Sequence, residues 1–143
     1  MKAAVNWDHG LTFAGTADSG FTVNLGSSPS VGGDDDGFRP MELILTGLIG
    51  CTAMDVISIL QKKRQDVTSF RVTADAQQAE TFPKVFTEIH IHYIVEGRSV
   101  DPAAVERAIE LSETRYCPAQ AMLSATVDLR MTYEIIETAS VPA

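Results

Sequence analysis

The sequence predicts an α+β protein, and three observations carry that expectation. Short β-branched and aromatic runs fill the first third, a long apolar helical segment opens at Pro40, and period-two strands flank a second helix in the last half. The chain has 143 residues, 45% hydrophobic and 21% charged. That is the size and balance of one ordinary domain, expected to run over 1–143. A chain of this length buries roughly two thirds of its unfolded surface, so it needs neither metal nor disulfide to fold.

KAAVNW, LTFAG and GFTVNLG read as three strands of an N-terminal meander, with turns at Asp8-His9-Gly10 and Asp18-Ser19-Gly20. Ser27 to Phe38, SSPSVGGDDDGF, holds too much Gly, Ser and Asp to pack a core and reads as a mobile loop. Asp34, Asp35 and Asp36 lack the alternating spacing and distal glutamate of an EF-hand, so a solvated acidic loop is expected there.

Pro40 to Arg64 predicts a long helix. Proline suits the first turn, Glu42 the positive end of the helix dipole, and Lys62, Lys63 and Arg64 the negative end. Between them LILTGLIGCTAMDVISIL is apolar almost all round, the pattern of a helix buried over most of its circumference. Asp55 interrupts it, and the unbroken stretch from Leu43 to Met54 falls short of the roughly 18 residues of a membrane span. Gly47 and Gly50 each cost about 1 kcal/mol relative to alanine, which suggests a second backbone passing close by. One small sheet covers one side of such a helix, and a symmetric homodimer supplies the other cover.

SFRVTADAQ and KVFTEIHIHYIVEG predict a hairpin joined at Thr81-Phe82-Pro83-Lys84. Val85, Thr87, Ile89, Ile91 and Tyr93 lie on one face, and Phe86, Glu88, His90, His92 and Ile94 on the other. Asp101-Pro102 starts a second helix whose apolar face carries Val105, Ala108, Ile109 and Leu111. Pro118 ends it near Cys117. ATVDLRMTYEII is the final strand.

Nineteen acidic against eleven basic residues leave a net charge of -8. A phosphate backbone and an anionic membrane surface are both poor partners for such a chain. MKAAVNWDHG has no apolar run behind its lysine, so no signal peptide is read and a cytoplasmic location is expected. No cofactor or metal is expected: there is no Gly-rich phosphate loop, zinc spacing or Ser/His/Asp elbow. His90 and His92 share a strand face without a third ligand and read as strand histidines.

Cys51 and Cys117 are the only cysteines, and they form no CxxC motif. They are either two inert buried thiols or a reactive pair. Cys51 lies mid-helix, where an apolar environment disfavours a thiolate, so reactivity requires a cation or donor nearby. Arg39 begins about 18 Å away along the helix axis, too far to reach Cys51 within one helix. It is either a helix-start residue with no chemistry or a group brought to Cys51 by a loop folding back or from the other subunit.

RPMELILTGLIGCTAMDVISIL and RYCPAQAML resemble the OsmC/Ohr family of thiol peroxidases, and within it a YhfA-type branch. Pro40, Glu42, Leu43, Gly47 and Cys51 match the motif that opens the family's central helix, and Cys117 and Pro118 match its second motif. Element order agrees over essentially the whole chain. The resemblance implies an intertwined α+β homodimer with active sites at the subunit interface. It implies that Cys51 attacks an organic hydroperoxide and that Cys117 resolves the sulfenic acid as a disulfide, which an external dithiol then reduces. The family's activating arginine comes from an N-terminal turn. DHGLTFAG contains none, and Arg39, oriented by Glu42, is the nearest candidate to replace it. Met41 stands where well-studied members carry glutamate. A non-catalytic ligand-binding protein and a redox sensor are the other two readings.

Overall fold

The computed structural model describes residues 1–139. Its contacts divide the chain into two compact units, Met1–Thr46 and the remainder from Gly47 onward.

The first unit holds the expected meander. Strands β1 (Ala3–His9), β2 (Thr12–Ala17) and β3 (Thr22–Leu25) form an antiparallel sheet in the order β1-β2-β3. Trp7 pairs with Phe13, and Phe13 with Leu25. The turns use left-handed glycines, Gly10 at φ 46° and Gly20 at φ 84°, a region open to glycine without steric cost. The acidic loop is tied down rather than mobile. Thr12 Oγ1 donates to Asp36 Oδ2 at 2.6 Å, and Phe38 N–H donates to the Asn24 carbonyl at 2.9 Å. Gly37 is required there, because a Cβ would meet the Asn24 carbonyl oxygen at 2.7 Å.

Helix α1 (Pro40–Lys62) begins in this unit and continues into the second. Pro40 takes the first helical position, and Glu42 Oε2 accepts the Arg39 backbone N–H at 2.9 Å, half of a capping box. The helix closes with Arg64 in the left-handed region at φ 56°. This turns the Gln65 N–H back to the Leu60 carbonyl and the Arg64 N–H to that of Gln61, the Schellman arrangement.

In the second unit, strands β4 (Asp66–Gln78), β5 (Phe86–Arg98) and β6 (Asp128–Glu137) form a sheet in the order β4-β5-β6. The first pair is antiparallel and the second parallel. The predicted alternation holds: Ile89, Ile91, Tyr93 and Val95 are buried. At the hairpin end it fails. A register shift at Gln77/Gln78 pairs Gln78 with Phe86, so Phe86 turns inward and Val85 stays exposed.

A parallel β5–β6 pair needs a crossover. Helix α2 (Pro102–Leu111) supplies its first part, capped by Asp101, whose side chain accepts the Ala103 N–H at 3.0 Å. Ala104, Val105, Ala108 and Ile109 form its buried face. A π-turn, Ser112–Tyr116, follows, and then a short helix α3 (Pro118–Leu123) that the sequence reading did not foresee. Pro118, read only as a helix stop, is also the first residue of the next helix.

One row of α1 is fully buried: Leu48, Thr52, Val56 and Leu60. Among the described residues the rest of the helix is only partly covered by its own chain: residues such as Ile49, Cys51 and Ile57 are half-buried, Met54 is 72% exposed, and Ile44 is also exposed. A Cβ at Gly47 or Gly50 would meet nothing within 4 Å. By length and composition alone α1 would also pass as a membrane span. Its buried row, however, includes Thr52 in the hydrogen-bonded core of the second unit.

Candidate functional site

The site is built from α1 and the crossover. Cys51 and Asp55 are one turn apart on α1, so both project from the same side of the helix. Cys117 sits between the π-turn and α3, where its sulfur accepts the Gln120 N–H at 3.4 Å as a helix cap. The two sulfurs and an Asp55 carboxylate oxygen all lie within 4.8 Å of one another. Both cysteines are free thiols; Cys51 is half-buried and Cys117 is 2% exposed.

Under this triad runs a chain of buried hydroxyls. Tyr93 Oη lies 2.7 Å from Thr52 Oγ1, Thr52 Oγ1 lies 2.8 Å from Ser112 Oγ, and Ser112 Oγ donates to Asp55 Oδ2 at 3.0 Å. Each hydroxyl has one proton, which fixes the direction. Ser112 gives its proton to Asp55 and so accepts from Thr52; Thr52 in turn accepts from Tyr93. Burial pushes the Tyr93 phenol up to about 12, against the opposing bond with Thr52, so it keeps the proton it must donate. The chain therefore runs one way, from a neutral phenol to a carboxylate, each bond polarising the next.

The Cys117 thiol is pushed up to about 11, chiefly by burial and further by the adjacent Cys51 sulfur, while the Gln120 N–H works in the opposite direction. At neutral pH Cys117 is a protonated thiol. Of the two cysteines, the less buried Cys51 is the one open to an attacking role. Gln120 is 1% exposed, and neither atom of its amide has a hydrogen-bond partner among the described residues.

Of the four residues singled out from sequence, the structure thus brings Cys51 and Cys117 together in the second unit. Arg39 and Glu42 are neighbours at the start of α1, in the first. There Glu42 holds the Arg39 backbone, while the guanidinium pairs with Asp35 and donates to the Gly37 carbonyl at 3.3 Å. The carboxylate that holds the Arg39 side chain is therefore Asp35, not Glu42. His90 and His92 both bond Thr132 Oγ1, at 2.6 and 2.8 Å, and His92 also meets Glu134. They are strand histidines engaged with β6, as expected. Asp55, Thr52, Ser112 and Tyr93 were not singled out as site residues. Their one sequence signal was Asp55, a lone charge in an apolar helix one turn beyond a cysteine.

The OsmC family model, described as OsmC-like protein, matches residues 33–132. The chain belongs to this family. Protein YhfA of Escherichia coli strain K12 is 40% identical over 136 residues, which cover 95% of this chain and 98% of YhfA. Among solved structures, a hypothetical protein from Aquifex aeolicus VF5 superposes with a TM-score of 0.85 at 28% identity, covering 96% of this chain and 97% of that one. An organic hydroperoxide resistance protein from Elizabethkingia anophelis superposes with a TM-score of 0.71 at 18% identity, covering 93% and 94%, a likeness of fold. In this OsmC-like chain the helix-opening motif and the Cys-Pro motif supply the two thiols of the site.

Proposed function

We propose that this OsmC-like protein reduces organic hydroperoxides, with Cys51 as the attacking thiolate and Cys117 as the resolving thiol. The observation that carries the reading is the pair of free sulfurs within 4.8 Å, one half-buried and one fully buried. The Cys51 thiolate attacks the distal peroxide oxygen. The O–O bond breaks, Cys51 becomes a sulfenic acid, and the alkoxide leaves and takes a proton as the alcohol. The Cys117 sulfur then attacks the Cys51 sulfur. The sulfenic hydroxyl leaves with the Cys117 proton as water, and a disulfide remains. An external dithiol reduces it by exchange.

The chain is read as one OsmC-like domain that works as a cytoplasmic homodimer, the second copy covering the open apolar face of α1. Apolar α1 side chains around Cys51 suit an alkyl hydroperoxide. Arg39 of one subunit, carried with Asp35, is the candidate to approach Cys51 of the other. The test is turnover: reduced protein, an organic hydroperoxide and a dithiol reductant should consume peroxide catalytically, and Cys51→Ser should consume none.

The Asp55 carboxylate favours a second reading. A negative charge beside Cys51 opposes a standing thiolate, as suits a non-catalytic ligand-binding or redox-sensing protein. A redox sensor would oxidise once and then stall in the same assay.

A further inference from the structure

We propose that Cys51, Asp55 and Cys117 form a zinc site. Two thiols and a carboxylate converge from α1 and from the cap of α3, with their ligand atoms within 4.8 Å of one another. Tetrahedral Zn²⁺ holds sulfur at about 2.3 Å and carboxylate oxygen at about 2.0–2.2 Å, which places such ligand atoms roughly 3.5–3.8 Å apart. Closing the triad onto an ion therefore needs shifts of about 1 Å or less. Two thiolates with one carboxylate is a donor set that suits zinc and not the hard cations calcium or magnesium.

Three further observations favour a cation here. Asp55 takes part in no ion pair among the described residues, although it is only partly exposed. Its carboxylate is oriented by Ser112 at 3.0 Å, itself the end of the hydroxyl chain from Tyr93, and an outer shell of this kind aims a metal ligand. The buried Gln120 amide, three residues from Cys117, has both polar atoms unpartnered among the described residues.

Binding is an exchange of protons for metal with no change in oxidation state. Zn²⁺ binds the two sulfurs and the carboxylate oxygen, and the two thiol protons go to solvent. The site and the disulfide exclude each other, since both need the same two sulfurs. The zinc site does not depend on the peroxidase reading.

The test is a titration of reduced, metal-free protein with Zn²⁺ against a chromophoric chelator, and a parallel titration with Co²⁺. One zinc per chain is expected, with the thiolate-to-cobalt charge-transfer bands and intense visible bands of a tetrahedral sulfur site. Cys117→Ser and Asp55→Asn should each weaken zinc by more than about 100-fold, and the milder Ser112→Ala by about 10-fold or more. Protein oxidised to the disulfide should bind none at this site. Absence of the thiolate–cobalt bands in the wild-type protein, or zinc affinity unchanged in both Cys117→Ser and Asp55→Asn, overturns the proposal. Hydroperoxide-driven disulfide formation is scored on the same metal-free sample. Zinc binding without it removes the peroxidase reading and leaves the site. Disulfide formation without zinc binding does the reverse.

Discussion

Asp55 stands one helical turn beyond Cys51, and its carboxylate lies within 4.8 Å of the Cys51 sulfur. An anion therefore occupies a neighbourhood where a reactive thiol needs a cation. At this separation, forming a Cys51 thiolate sets two like charges together in a half-buried site. In metal-free protein with Cys117→Ser, the further change Asp55→Asn is expected to speed alkylation of Cys51 at pH 7 by about tenfold. An unchanged rate would mean that the Asp55 charge does not reach the sulfur.

The raised Cys117 and Tyr93 groups make a pH-dependent contribution to stability. Both are neutral when protonated, and both hold their protons more tightly in the folded state. Their contribution is fully present below the ordinary values of 9.0 and 10.0, and is lost as pH climbs toward about 11 for Cys117 and about 12 for Tyr93. Each is of the order of 2 kcal/mol. Urea unfolding of the reduced protein from pH 8 to pH 11 should show a falling midpoint, and the fall should be shallower in Cys117→Ser.

The directed hydroxyl chain predicts an ordering of substitutions. Tyr93→Phe removes only the first donor, so it should cost about 1 kcal/mol. Thr52→Val breaks the chain in the middle. It leaves the buried Tyr93 hydroxyl without an acceptor and Ser112 without a donor, at about 2–3 kcal/mol. Equilibrium denaturation of the two variants checks the order, and a larger loss for Tyr93→Phe would contradict it.

Most of the fold was legible in the sequence, because it follows from periodicity. β5 alternates, α1 is apolar with proline and glutamate at its start, and Asp101-Pro102 caps α2. The two cysteines were legible as motif residues. The remainder of the site was not. Thr52, Ser112 and Tyr93 are ordinary residues in their own segments and acquire a role only when the β5–β6 crossover brings the π-turn against α1. Helix α3 was missed because one proline both ends a helix and begins another. The pairing of Arg39 with Asp35 rather than Glu42 follows from loop geometry that no spacing rule supplies.

The uncovered face of α1 predicts assembly. Sedimentation equilibrium at low micromolar concentration should give one species near twice the 15.5 kDa chain mass. Met54→Glu places a charge on the exposed apolar face and Gly50→Leu fills a position with open space beside it. Both should shift the protein toward monomer. A wild-type chain that stays folded as a monomer would rule out the dimer.

In the proposed reaction Cys51 and Cys117 act on each other. The direct measurement is mass spectrometry of a non-reduced digest after metal-free, reduced protein has met one equivalent of an organic hydroperoxide. The expected result is a peptide pair joined by a Cys51–Cys117 disulfide within single chains, and in Cys117→Ser a Cys51 sulfenic acid trapped by a nucleophilic reagent. Two unmodified thiols, or disulfides formed only between chains, would contradict it.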